Sequence, residues 1–432
     1  MKNFKKLPTI FCLLAILTVL MIMQGWNIST IAQTYQMPYK VFQTQPYVYG
    51  RMYNTSGVIR YLSLPPGSLP MGIIYDNATN KVWVALNMNE SLASIDVLTK
   101  TVTIYPLPHQ IDDFIGPMPW MLTITPDGYV WFTFSYKNAP QKVPPLVPRL
   151  GKLDIFNSLV YIYYTTPEST LGLGDIKFYR NYIWVHSGLG LAKINYTSAE
   201  IVESHTIIDS FGSMEIDGDY LWLSAIKLGY VVRYNINTSK FDLNLTGFDR
   251  PYGIEVDSKN VYIAENKWYN PDEPEPQWGT VAIINKATLQ VTRVNVAKII
   301  YDGPVSVLKD SFSYLWFTDN SGHIGIVGGI VYGNEIPNCY VPPYCYFMVE
   351  VPGNSIWFSA VGSAYIGMKE TGTLGNTDIN KDGKVDIKDV SYVSKWFGSL
   401  VPPAPENADL NSDGKIDIKD VSAVSRNFGK TL

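Results

Sequence analysis

YVWFTF, residues 129–134, is one of seven renderings of the same short aromatic strand. The others are KVWVAL at 81–86, YIWVHS at 182–187, YLWLSA at 220–225, NVYIAE at 260–265, YLWFTD at 314–319 and SIWFSA at 355–360. Their central aromatics are Trp83, Trp131, Trp184, Trp222, Tyr262, Trp316 and Trp357, spaced 38 to 54 residues apart. Nearly every residue in these strands is apolar, as a strand covered on both faces requires. A sandwich strand, with one face in water, alternates more strictly. Before each copy comes another apolar strand, as in PMGIIYD (70–76), PYGIEVD (251–257) and PVSVLKD (304–310). After most come two more strands joined by a turn, as in VVRYNINTSKFDLNLTG (231–247). Four strands in roughly forty to fifty residues, repeated seven times, predict an all-β chain folded as a seven-bladed β-propeller over 47–370.

Closure of the ring is also legible. The seventh copy, SIWFSAVGSAYIGMKE (355–370), stops one strand short, while GVIRYLSLPPG (57–67) reads as an outer strand with no blade of its own. The N-terminal strand is expected to complete the last blade and remove its open edges.

The final fifty-five residues follow a different pattern. DINKDGKVDIKD starts at Asp378 and DLNSDGKIDIKD at Asp409, and 378–398 shares 15 of 21 positions with 409–429. Asp378, Asn380, Asp382, Lys384, Asp386 and Asp389 stand at loop positions 1, 3, 5, 7, 9 and 12, with Lys384 offering only its carbonyl. Asp409, Asn411, Asp413, Lys415, Asp417 and Asp420 repeat the set. Hard oxygen donors at these spacings, with Gly383 and Gly414 at the sharp turn, suit two calcium ions. Neither loop has an entering helix, since GTLGNT and the proline-rich LVPPAPEN precede them. Each is followed by a helical pattern whose apolar face is Val390, Val393 and Phe397, or Val421, Val424 and Phe428.

This doubled loop-plus-exit-helix unit, over 378–432 behind a 371–377 linker, resembles a type I dockerin, a small α-helical module. The resemblance implies a cohesin partner, calcium as the bound metal, and an extracellular setting. It places cohesin contacts at Ile387, Lys388 and Lys395 in the first half, and at Ile418, Lys419 and Arg426 in the second. The near repetition of that surface allows docking in either of two orientations.

The propeller repeats resemble the virginiamycin B lyase and streptogramin lyase group, ITPDGYVWFT (124–133) most closely. That group uses His and Glu side chains on one face, with a His just after the Pro that opens an inner strand. Met71, Trp120, Tyr252 and Val305 hold the matching positions here, and the four histidines (His109, His186, His205 and His323) lie elsewhere. A non-catalytic propeller is therefore expected. The alternative is a propeller enzyme, streptogramin-lyase-like or polysaccharide-degrading, delivered by the dockerin.

Inner and second strands run antiparallel, so the start of one and the end of the other share an edge. That edge is expected to carry Trp120, His186, Tyr252, Glu265 and Asp319. The insertions KNAPQKVPPLVPR (137–149) and NKWYNPDEPEPQWG (266–279) reach the same edge. Aromatics beside long loops predict a ligand face, with sugar rings, as in glycans, the class that stacking would suit.

Lys2, Lys5 and Lys6 lead into an uncharged run from Ile10 to Met23, and Thr30-Ile31-Ala32 offers a small-x-small cleavage site. This predicts a signal peptide over 1–32, a mature segment over 33–46 and a secreted or cell-surface protein. A retained anchor is the alternative. Cys339 and Cys345 (CYVPPYC) suit a small disulfide loop there, and sequons at Asn27, Asn54, Asn77, Asn89, Asn195, Asn237 and Asn244 permit glycosylation. A formal charge of −4 without a basic run after the leader argues against nucleic acid as a partner.

Overall fold

The computed structural model describes residues 35–36, 39–49, 52–54, 59–111, 114–138, 149–164, 174–187, 190–206, 211–268, 270–274, 276–298, 303–333, 344–352, 355–370, 377–410 and 414–431. The leader, Cys339, Asn411, Asp413 and most of the 137–149 insertion lie outside them.

Seven antiparallel sheets form a ring. Blade one is Pro70–Asp76, Lys81–Leu86, Ser91–Asp96 and Val102–Pro106, and each later blade repeats that order around its aromatic strand. The inner strand of blade one touches both that of blade two (Phe114–Ile124) and that of blade seven (Tyr344–Val351), so the ring is closed. Blade seven receives its fourth strand from Ile59–Ser63, which pairs with Tyr365–Glu370 through Ile366↔Leu62 and Gly367↔Tyr61.

The repeated aromatic holds adjacent blades together. Trp83 of blade one packs with Val130 and Phe132 of blade two, and Trp131 of blade two with Ile183 and Val185 of blade three. The pattern continues with Trp184 on Leu221 and Leu223, Trp222 on Val261 and Ile263, and Tyr262 on Val307 and Phe317. Trp316 packs with Ile356 and Phe358, and Trp357 returns to Val82 and Val84 of blade one. Seven aromatics thus fill seven blade interfaces. The six tryptophans among these seven are fully buried, and each such side chain is worth about 2–3 kcal/mol in transfer terms.

One feature of the ring has no signature in the sequence. Tyr35–Gln36, Tyr39–Gln43, Tyr47–Tyr49 and Met52–Asn54 add outer strands to blades three, two, one and seven in turn. Residues of the segment 33–46 thus pair with the propeller instead of standing apart from it. These short strands cover blade edges that would otherwise offer unpaired backbone groups.

The C-terminal unit holds two helices, α1 (Ile387–Lys395) and α2 (Ile418–Asn427), packed on each other. Asp386 and Asp417 cap them, each within a capping box closed by Asp389 or Asp420. Val393 and Val424 are buried, as the apolar pattern predicts, but Phe397 and Phe428 are 56% and 55% exposed. The helices end at Lys395 and Asn427, so both phenylalanines fall beyond the last turn and leave the buried stripe.

Candidate metal loops and propeller face

The two loops are built by the same bonds. Asp378 Oδ2 accepts the N–H of Gly383 at 2.9 Å, and Asp409 Oδ2 that of Gly414 at 2.9 Å. Asp389 Oδ1 takes the N–H of Ile379 and Oδ2 that of Asp386, at 2.8 and 2.9 Å. Asp420 does the same with Leu410 and Asp417, both at 2.8 Å. Each loop is therefore tied at positions 1 and 12 before any ion is considered. Gly383 and Gly414 have φ of +85° and +84°, a region that a side chain disfavours.

The donor set fits a hard cation. Asp378 is fully buried, and its Oδ1 has no well-formed hydrogen bond, only the Tyr314 hydroxyl nearby, a costly state for a carboxylate oxygen unless a cation meets it. Burial, with the Asp389 and Asp382 charges nearby, pushes its pKa up. Asn380 Oδ1 accepts from Asp382 N at 3.1 Å, and Asp382 Oδ1 from Lys384 N at 3.1 Å. Among the described residues, no three Asp, Glu, His or Cys side chains by themselves make a metal cluster. A loop of this type draws other ligands from an Asn side chain and a backbone carbonyl, here Asn380 and Lys384. In the second loop, Asp409, Lys415, Asp417 and Asp420 are described.

Ile387 and Ile418, at 64% and 65% exposure, are presented alike by the two halves, and Lys388, Lys419, Lys395 and Arg426 are exposed beside them. Lys388 Nζ lies 2.9 Å from Asp382 Oδ2, within its own loop.

On the propeller the predicted edge divides into two groups. His186 is buried, accepts the Asp175 N–H on Nε2 at 2.9 Å, and has its pKa lowered to about 4 by burial. Glu265 is buried and saturated. Arg293 Nε and Nη2 reach it at 2.9 Å each, Thr280 Oγ1 donates at 2.7 Å, and Asp249 N at 3.1 Å. Asp319 is buried and holds the His323 ring at 2.8 Å, with the N–H groups of Ser321 and His323. All three are committed to internal bonds, so none is offered outward in this conformation.

Trp120 and Tyr252 form the second group. Both are half-buried and pack, with Tyr346, against the cluster containing Met71 and Phe347. Tyr252 belongs to blade five and the rest to blades one, two and seven, so these aromatics meet across the axis of the ring. Burial and the neighbouring Tyr346 raise the Tyr252 hydroxyl pKa. Tyr346 was not singled out from the sequence because its strand, Tyr344–Val351, has Cys345 where the inner strands of Met71, Trp120, Tyr252 and Val305 have the proline that marks the position.

Deeper along the inner strands, Lys177 meets Glu215 at 2.8 Å and Asp175 at 3.9 Å. Glu255 has its pKa pushed up to about 7, by burial first and then by the Glu215 charge.

Residues 376–429 match the family model of the dockerin type I domain, a calcium-binding family. No curated protein matches the chain. Virginiamycin B lyase from Staphylococcus aureus is similar in structure, with a TM-score of 0.56 and 19% identity, covering 74% of this chain and 99% of that one. Kuenenia stuttgartiensis hydrazine synthase has a TM-score of 0.54 and 15% identity, covering 72% and 97%. At these identities the likeness speaks for the fold. Among the described residues, no helix is long and apolar enough to cross a membrane.

Proposed function

We propose, from the premise of a dockerin type I domain on a seven-bladed propeller, that this chain is an exported module that docks onto a cohesin partner when its two loops hold calcium. On this reading residues 1–32 are a cleaved leader, 371–377 a linker, and 378–432 the dockerin with two ions. The observation that carries the reading is the doubling of bonds and surface. Both loops are closed by the same carboxylate contacts, and both present an isoleucine and a lysine outward. Phe397, Leu400 and Phe428 are further exposed apolar side chains of this unit, the residue type that a protein interface uses. Calcium supplies the charge that draws Asp378, Asn380, Asp382 and Asp389 together; the residues themselves shape the loop and cap the helix.

The propeller is the carried part, and its ligand face is the aromatic mouth of Trp120, Tyr252 and Tyr346. Sugar rings suit it, since aromatic faces stack on apolar ring surfaces without needing a charged group. A propeller enzyme needs an acid or base free to act at that mouth. His186, Glu265 and Asp319, the groups expected there, are engaged in internal bonds, and Glu255, its pKa raised to about 7, lies deeper along the inner strands.

Binding of the full chain to immobilised cohesins tests the proposal. Capture in calcium that is reversed by chelator is expected. Capture unaffected by chelator would overturn it.

A further inference from the structure

The two loops share their bonds but not their surroundings. A Cβ placed on Gly383 would lie 2.8 Å from Ile326 Cδ1 and 3.0 Å from Ile330 Cδ1, both in blade six. A Cβ placed on Gly414, its repeat in the second loop, would meet nothing within 4 Å. Asp378, Ile379 and Asp382 are buried, whereas Asp409 and Leu410 are only partly so. The propeller is what covers the first loop.

The contact is specific. Ile330 N, in the outer turn of blade six, donates to the Asp382 carbonyl at 3.1 Å. A Cβ on Gly329 would lie 2.1 Å from that carbonyl oxygen, so only glycine permits the approach. Lys381 Nζ sits 5.0 Å from the Tyr314 ring centre. The Tyr314 hydroxyl is buried and faces the Asp378 carboxylate; burial first, and then that carboxylate's charge and hydrogen bonding, raise its pKa. A single apolar cluster runs from Trp316, Ile324 and Ile326 of the propeller to Ile379, Val385 and Val393 of the C-terminal unit.

We infer that blade six forms the outer wall of the first calcium loop, with Tyr314 as a positioning residue, so that filling this loop and seating the dockerin on the propeller are one linked equilibrium. The inference rests on the calcium reading of the loops. Linkage is reciprocal: whatever factor docking adds to calcium affinity, calcium adds to docking. No propeller atom lies within 4 Å of a Cβ placed on Gly414, so the second loop is expected to titrate on its own. Ile387 and Ile418 stay exposed on both halves, so seating uses the start of the first loop and leaves both recognition surfaces open.

Gly329→Ala and Tyr314→Phe in the full chain test this, read by calorimetric calcium titration and small-angle scattering, with propeller melting as the folding control. The wild type is expected to bind two ions with distinct affinities and to expand in chelator. Gly329→Ala is expected to weaken one site by about tenfold, leave the other unchanged, and scatter as an expanded chain even in calcium. Tyr314→Phe is expected to weaken the same site without lowering propeller melting. Unchanged calcium affinities in Gly329→Ala, whether compact or expanded, would overturn the linkage, as would a wild type that stays compact in chelator. No bound calcium at all would remove the reading of the loops together with it.

Discussion

Leu62 pairs with Ile366 across the seam of the ring, joining the N-terminal part of the propeller to its last blade. Both side chains are buried, and both belong to the cluster that also holds Trp357 and Val82. The seam is therefore part of the core and not a surface tie. Deleting 59–63 should leave Tyr365–Glu370 as an open edge and uncover the blade-seven core. The expected outcome is aggregation or a sharply lower melting temperature by calorimetry; a monomeric chain with unchanged melting would show that the strand is dispensable.

Glu265 is expected to act on stability and not on ligand binding. Glu265→Ala leaves Arg293 without its carboxylate and Thr280 and Asp249 without an acceptor. Removing one partner from such a buried cluster costs about 2–4 kcal/mol, with the partial exposure of Arg293 holding the value down. Urea unfolding measures it. A change under about 0.5 kcal/mol would place Glu265 among ordinary surface residues.

Trp120→Ala and Tyr252→Ala should abolish binding to any glycan that an array of the full chain identifies. Substitution of exposed Phe156, outside the mouth, should leave binding intact. Equal losses from all three would argue against the mouth as the site.

His186 sets a pH dependence with a definite sign. Its folded pKa, about 4, lies below the ordinary value of 6.5. The unfolded chain therefore binds the proton first as pH falls, and stability drops between pH 6.5 and 4, by at most about 1.4 kcal/mol per pH unit from this group. His186→Gln should flatten that slope relative to the wild type in chemical unfolding across the window. An unchanged slope would mean that the imidazole titrates normally.

The propeller was legible because one residue type does one job seven times: an aromatic at the centre of each second strand fills the next blade interface. The N-terminal strands at 35–54 were not, since two to five residues carry no periodicity and their partners lie far along the chain. The role of Glu265 was hidden for a related reason, because Arg293 reaches it from the fourth strand of the same blade. Phe397 was misplaced by two residues of helix length. The asymmetry of the two loops was beyond reach, as near-identical sequences cannot reveal which copy a neighbouring blade covers.

The calcium content of the full chain tests the central claim most directly. Titration calorimetry should give two ions for the wild type, and one each for Asp378→Ala and Asp409→Ala. The double substitution should bind none and lose cohesin capture, while the propeller stays folded. At millimolar calcium, a dissociation constant of about 1 µM would add roughly 4 kcal/mol to a site's stability. Two ions in the wild type and none in the double variant is the predicted result; fewer than two in the wild type, or cohesin capture by the metal-free double variant, would contradict it.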